Sequence, residues 1–380
     1  MKVAIFIYSL AGGGAERIVS QLVPYLESKE LDVYLVLMNN TCAYSFTTKR
    51  EPFFLEHSKP TENGILKLLK IPLLAYKYHV LLKKNNIEKS ISFLTRPGFI
   101  SVLTKFFNKQ RTIIISERSN SSNQYGYKNL QSWINIFLIK KLYPIADLII
   151  TNSKGNAEDL ISNFNVPSHK LFTVYNPVSI KTIDAIESKK DFFDKNFFNL
   201  ISVGRLDKGK NHQLLIRSVE KLKDKKVRLY IFGDGELKNE LQRLIGNLRL
   251  EKSVFLMGFD SNPYQYLKAA DLFVFSSNHE GFPNVLLEAM TCSLPIISTN
   301  CPSGPNEILE AEIEYDFKEI FFTKYGLLIP RNDEQKMTEA IVYMMGNVTY
   351  YADCKASLKK RILDFENEKI LENFYNIFSA

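Results

Sequence analysis

Two carboxylates, Glu280 and Glu288, bracket a segment in HEGFPNVLLEAM that turns a Gly-Pro corner and enters an apolar helix. The preceding DLFVFSS, residues 271 to 277, reads as a buried strand. Val285, Leu286, Ala289 and Met290 then recur at helical spacing, so a helix is expected to start near Asn284. The first turn of a helix presents backbone N–H groups and the positive end of the helix dipole, which suits a phosphate or diphosphate. Glu280 is then expected at the lip of that site and Glu288 about two turns in. One carboxylate would face a sugar, and the other would accept hydrogen bonds from ribose hydroxyls. The plainer alternative is a capped helix with two solvated glutamates.

Three further loops argue for the chemical reading. SVGRLDKGKNH, residues 202 to 212, offers Arg205 and Lys210, a planar fork and a point charge that can converge on one anion and neutralise a departing diphosphate. Its alternative is a solvated basic turn, which is the reading given to Lys208. AGGGAER, residues 11 to 17, follows a first strand, and Gly12, Gly13 and Gly14 allow backbone to approach an anion at a helix start. It is neither a full G-x-G-x-x-G nor a P-loop, so alone it is equally a tight turn. FGDGE, residues 232 to 236, places Gly233 after another strand and by itself is only a turn. No D-x-D pair occurs in the chain, which disfavours metal-dependent transfer and leaves Arg, Lys and a helix terminus to stabilise a leaving group.

The elements that must carry these loops alternate between strand and helix. Apolar runs at 2–8, 33–38, 90–94, 112–116, 147–151 and 171–175 read as strands of a first domain, and runs at 199–203, 227–232, 253–257, 271–275 and 295–299 as strands of a second. Such alternation implies parallel sheets covered by helices on both faces, with ligands at the carboxyl ends of the strands. The fold class expected is α/β, two Rossmann-like parallel-sheet domains facing a cleft. The polar stretch 176–196 is the linker region. The expected boundaries are 1–178, 179–360, and a helix at 361–380 crossing back to the first domain. A chain of 380 residues with 45% hydrophobic content can bury two such cores.

Charge is uneven. Residues 1–190 hold 25 Lys and Arg against 14 Asp and Glu, a net +11, while the remainder is net −3. Within the basic half, GILKLLKIPLLAYKYHVLLKK, residues 64 to 84, interleaves Lys67, Lys70, Lys77, Lys83 and Lys84 with apolar residues. As an amphipathic helix, broken or restarted at Pro72, it would lay lysines on anionic headgroups with its apolar side toward acyl chains or core. An ordinary surface helix is the alternative. Nucleic acid is excluded as a partner, since no zinc-finger, helix-turn-helix or aromatic RNA-binding pattern is present. No run reaches the roughly eighteen apolar residues of a membrane span. The first apolar run reads as a strand and not as a signal peptide. Cys42, Cys292, Cys301 and Cys354 are scattered, with no metal-ligand spacing, as expected of reduced thiols in the cytoplasm.

In this order, GGGAER, GRLDKGKNH, GDGEL, EGFPNVLLE and SGPNEIL resemble the retaining GT-B glycosyltransferases of family 4 over nearly the whole chain. More narrowly, AIFIYSLAGGGAERIV, SKPTENGILKLLK, NSKGNAEDL and SVGRLDKGKNHQLLIR look like the N-acetylgalactosamine transferases that extend an undecaprenyl-diphosphate glycan in bacterial protein N-glycosylation. CPSGPNEIL and residues 310 to 325 look more like O-antigen and capsule transferases.

The resemblance implies that Arg205 and Lys210 hold the donor diphosphate and that the backbone of Phe282, Pro283, Asn284 and Val285 caps it. It further implies that Glu288 binds the ribose, Glu280 contacts the transferred sugar, and Gly13, Gly14 and Gly233 lie against the donor. Arg118, in ISERSN, stands where many relatives carry a His near the donor sugar and acceptor; either Arg118 replaces it as a catalytic electrostatic group or that role has moved, and Glu117 is expected to orient it. A UDP-sugar donor, no metal cofactor, a lipid-linked glycan acceptor, front-face retention, and a monomer on the inner face of the cytoplasmic membrane are implied with it. The alternatives are an O-antigen or capsule transferase using another sugar, a UDP-sugar epimerase of the same fold, and a catalytically silent membrane scaffold.

Overall fold

The structure is a computed structural model that describes residues 1–11, 13–42, 47–56, 63–126, 129–313 and 317–379. Gly12, most of SKPTEN and part of the segment 310–325 lie outside the described residues. The chain divides into two compact units, Met1–Pro177 with Glu368–Ala380, and Val178–Asn367.

The first unit is built on β1 (Lys2–Ile7), β2 (Asp32–Leu37), β3 (Phe53–Phe54), β4 (Lys89–Phe93), β5 (Thr112–Glu117), β6 (Leu148–Thr151) and β7 (Leu171–Thr173), in the order β3-β2-β1-β4-β5-β6-β7 and parallel throughout. Side chains alternate between its two faces. Ala4 and Phe6 enter one core with Tyr78, Phe99 and Tyr143. Val3, Ile5 and Ile7 enter the other with Ile18 and Leu22. That second core is completed by Ile370, Leu371, Phe374 and Phe378 of the helix Asn367–Ser379.

The second unit has β8 (Phe198–Val203), β9 (Val227–Phe232), β10 (Val254–Gly258), β11 (Leu272–Phe275), β12 (Ile296–Thr299), β13 (Phe321–Phe322) and β14 (Gly326–Ile329), in the order β10-β9-β8-β11-β12-β14-β13. All its pairings are parallel except β13 with β14. The eleven strand runs read from the sequence all form. Sequence reading missed β3, β13 and β14. The first two are two-residue strands with no periodicity to detect, and the third is a four-residue run.

The last crossing of the chain falls at 367/368, later than the 360/361 read from the sequence. The turn Ile362–Phe365 still belongs to the second unit, where Phe365 packs on Phe282 with ring centroids 5.8 Å apart and accepts a hydrogen bond from the Val178 N–H at 2.9 Å.

Residues 64–84 form two helices, Gly64–Leu69 and Ile71–Lys84, with Pro72 in the first turn of the second, where a missing N–H costs nothing. The inward face carries Ile71, Leu74, Ala75, Tyr78 and Leu82. The outward face carries a second apolar stripe, Leu66, Leu69, Leu73, Tyr76 and Val80, each at least 45% exposed. The helix Leu130–Leu142 of the same unit buries Ser132 and Asn135 beside Ile139 and Leu142, and exposes Leu130, Trp133 and Phe137. Among the described residues no helix is long and apolar enough to cross a membrane. None of the four cysteines forms a disulfide among the described residues.

Candidate active site

In the second sheet the chain reverses direction of growth between β8 and its neighbour β11, the switch point at which open parallel sheets place ligands. The loop after β8 carries Arg205 and Lys210, and the loop after β11 carries Glu280. They meet there, with Lys210 Nζ donating to Glu280 Oε1 at 2.5 Å. The side chains are 21% and 13% exposed, so the pair is largely withdrawn from bulk water.

Main-chain bonds fix the two loops to each other. Asn278 N–H donates to Gly209 O at 2.8 Å, and Ser276 Oγ donates to Lys210 O at 2.8 Å. Asp207 Oδ1 accepts the Lys210 N–H at 3.0 Å and so sets the turn that aims the lysine. The Arg205 side chain is 83% exposed, and its Nε lies 3.4 Å from Asp207. Arg205 and Lys210 thus leave the same turn, but only Lys210 is held in place. His212, at the start of the following helix, is buried. Burial and the charge of Lys210 depress its pKa to about 4, so it stays neutral at neutral pH.

Gly233 sits at φ +143°, and a Cβ there would lie 1.9 Å from the Gly204 carbonyl oxygen. The loops after β8 and β9 are zipped together at this point by Gly204 N–H to Phe232 O at 2.9 Å and Leu206 N–H to Asp234 O at 3.0 Å. Gly233 therefore acts first as the spacer that lets the Arg205 loop close onto its neighbour. Gly233→Ala is expected to destabilise the protein by at least about 2 kcal/mol, combining the backbone strain with the clash. An unchanged urea midpoint would disprove that account.

The helix read from the sequence spans Asn284–Thr291, with Pro283 at its N-cap. Glu288 lies one turn past its start and not two, and the Tyr264 hydroxyl donates to its Oε1 at 3.1 Å. Phe282 is 5% exposed and turned into the Phe365 contact, so any ligand contact it makes is through backbone. Ser303 Oγ donates to Glu280 O at 2.8 Å. The next residue, Gly304 at φ +104°, leaves room for the Pro283 ring, which a Cβ would meet at 2.5 Å. The SGPNEIL motif thereby shapes the loop that ends at the Asn284 helix. Among the described residues, no three His, Cys, Asp or Glu side chains cluster as a metal-holding group.

The other sequence-predicted residues belong to the first unit. Gly13 caps the helix Gly14–Ser28, and a Cβ on it would lie 2.3 Å from a Glu16 carboxylate oxygen. Burial raises the Glu16 pKa. Arg118 follows β5 and is 9% exposed. Its guanidinium donates to Asn176 Oδ1 and, at 3.4 Å, to Val174 O, and lies 6.0 Å from the Phe374 ring centroid. Burial lowers its pKa to about 9.

Glu117 does not hold that guanidinium. Its Oε1 accepts the Arg118 N–H at 3.0 Å, and its Oε2 accepts the Tyr143 hydroxyl at 2.5 Å. Lys70 is paired with Glu56 at 3.2 Å, and Lys67 lies 5.5 Å from the Tyr8 ring centroid. Lys77, Lys83 and Lys84 are exposed. Sequence reading missed Asp207, Tyr264 and Ser303. Asp207, three residues ahead of Lys210, carried a detectable turn signal. Tyr264 and Ser303 meet their partners across 24 and 23 positions, with no local signal.

Residues 12–182 match the Glycosyltransferase Family 4 pattern and residues 184–361 the Glycosyl transferases group 1 pattern. Over 369 residues, 97% of each chain, the sequence is 41% identical to the N-acetylgalactosamine-N,N'-diacetylbacillosaminyl-diphospho-undecaprenol 4-alpha-N-acetylgalactosaminyltransferase of Campylobacter jejuni. Among solved structures, sucrose-phosphate synthase from Thermosynechococcus elongatus aligns with a TM-score of 0.81 at 16% identity, over 100% of this chain and 98% of that one. Anabaena HepE crystallised with UDP aligns with a TM-score of 0.75 at 18% identity, over 100% of each. These two likenesses carry the two-domain fold.

Proposed function

This chain belongs to the family 4 glycosyltransferases, and we propose that it transfers N-acetylgalactosamine, or a related HexNAc or hexose, from a UDP-sugar to a saccharide carried on undecaprenyl diphosphate. The bond from the anomeric carbon to the diphosphate breaks, and that carbon joins the acceptor hydroxyl oxygen on the same face. The acceptor proton passes to the leaving phosphate. Lys210 and Arg205 meet the charge that collects on UDP, together with the start of the Asn284–Thr291 helix. Glu280 contacts the sugar, and Glu288, steadied by Tyr264, takes the ribose. Arg118 serves as a positioning residue for the turn at Val174 and Asn176.

The observation that carries this reading is the Lys210–Glu280 pair at the switch point beside a helix start. The name of the Campylobacter relative supports the choice of sugar and acceptor. The test is a panel of radiolabelled UDP-sugars offered with undecaprenyl-diphosphate-linked saccharides. UDP-N-acetylgalactosamine is expected to label the lipid fraction, and transfer from no UDP-sugar would overturn the reading. Family membership removes the epimerase alternative. Preferential use of another sugar would move the protein toward the O-antigen and capsule enzymes.

Because side chains and a helix terminus supply the charge stabilisation, the reaction needs no metal. Activity is expected to persist in excess EDTA, and complete loss restored by Mn2+ would contradict the site as drawn. The enzyme acts as a monomer held peripherally on the anionic inner face of the cytoplasmic membrane. Lys67, Lys70, Lys77, Lys83 and Lys84, the outward stripe from Leu66 to Val80, and exposed Trp133 and Phe137 support that placement.

A further inference from the structure

Arg111 is the residue before β5 and Glu88 the residue before β4, so both sit at the amino ends of the first sheet, opposite the end that carries the glycine loop. A cavity of about 260 Å³ opens there, lined by Arg111, His79, Lys83, Glu88 and Phe107 among others. Arg111 is only 2% exposed, yet its Nε has no hydrogen-bond partner, and its Nη1 reaches a histidine in place of an acid. A buried guanidinium without a counter-charge is costly, which singles out this one for a ligand that the cavity admits.

Arginine carries donors only, so the 3.2 Å contact from Arg111 Nη1 to His79 Nδ1 makes Nδ1 the acceptor and leaves the ring proton on Nε2. Burial, Arg111 and Lys83 together lower the His79 pKa, which keeps that neutral tautomer in place. Lys83 is exposed at the rim, and Glu88, also exposed, is the only acidic residue of the lining.

We propose that this cavity binds a phosphate oxyanion, with Arg111 as its buried guanidinium anchor, His79 Nε2–H as a neutral donor and Lys83 as a rim charge. The phosphate comes either from a lipid headgroup or from solution. Tyr76 and Phe107, both more than half exposed and packed edge to face at 5.9 Å, form an aromatic rim of the kind found at membrane interfaces. The lipid source rests on the peripheral-membrane reading above, whereas the phosphate site itself does not.

The experiment compares melting of the full chain in inorganic phosphate and in chloride at equal ionic strength, for the wild type, Arg111→Met and Lys83→Gln. Phosphate is expected to raise the wild-type melting temperature by a few degrees, to raise that of Lys83→Gln less, and to leave Arg111→Met unmoved. Arg111→Met should fold, because it replaces an unpaired buried charge by an apolar side chain of similar length. Should it fail to fold, the exposed Lys83→Gln carries the test. No phosphate-specific shift in the wild type, or a full shift in both variants, overturns the proposal.

Flotation with vesicles of phosphatidylglycerol in phosphatidylcholine separates the sources. A severalfold loss of vesicle binding in Arg111→Met assigns the phosphate to lipid, and unchanged flotation beside a lost phosphate shift assigns it to solution. If the wild type does not float at all, the membrane reading fails while the melting result still decides the site.

Discussion

Lys210→Ala is expected to lower kcat by at least about a hundredfold, since removing one preorganised group aimed at developing charge typically costs that much. The ammonium is aimed by the Asp207 turn and by Glu280 before any donor arrives, so the enzyme spends nothing on placing it during reaction. Arg205→Ala is expected to act in the same direction, but through a group that is free to swing, so part of its effect should appear in KM. Lys208, exposed on the same turn, provides the control, and Lys208→Ala should turn over like the wild type. Melting curves distinguish a lost charge from a collapsed loop. Arg205 is too exposed for its truncation to unfold anything. Wild-type turnover in Lys210→Ala with the fold intact would remove the lysine from the mechanism.

The second large effect concerns attachment. A lysine near an anionic surface is worth about 1 kcal/mol, so reversing Lys77 and Lys84 together should weaken partition onto phosphatidylglycerol vesicles by at least about thirtyfold. Neither residue lines the Arg111 cavity, which keeps this test separate from the phosphate site. KM for a lipid-linked acceptor should rise in the same variant. Hydrolysis of UDP-sugar in solution should not change, because the groups proposed to act on the donor lie elsewhere. Trp133→Ser is expected to weaken vesicle binding at unchanged stability, since its side chain is 68% exposed. Unaltered partition and unaltered acceptor kinetics in the double reversal would return these helices to ordinary surface.

What the sequence disclosed and what it withheld follow from the range of the interactions. Buried parallel strands are continuous apolar runs, and loops that carry chemistry follow them directly, so β8 with Lys210 and β11 with Glu280 could be read one after the other. Their meeting rests on the strand order, in which β8 lies beside β11, and that order was not read from the sequence. The engagement of Arg118 was not legible, because Phe374 reaches it from 256 positions later. Equally hidden was the second apolar stripe on residues 64–84. A helix with apolar residues on both sides reads as plainly hydrophobic, and only coordinates separate the five that enter the core from the five that do not. The helix Leu130–Leu142 is a further case, with Ile139 and Leu142 in the core and Leu130, Trp133 and Phe137 outside it.

The helix Asn367–Ser379 gives the protein an order of assembly. Its Ile370, Phe374 and Phe378 close the core over β1 and β4, yet they are translated only after the whole of the second unit. During synthesis the first unit therefore waits with one face of its sheet only partly covered, by the helix Gly14–Ser28, while some two hundred residues emerge behind it, an interval in which exposed apolar surface invites chaperones or aggregation. A truncation shortly after residue 367 would leave the Lys210–Glu280 loops intact and strike the other unit, so a defect written after the second unit would be felt in the one made first.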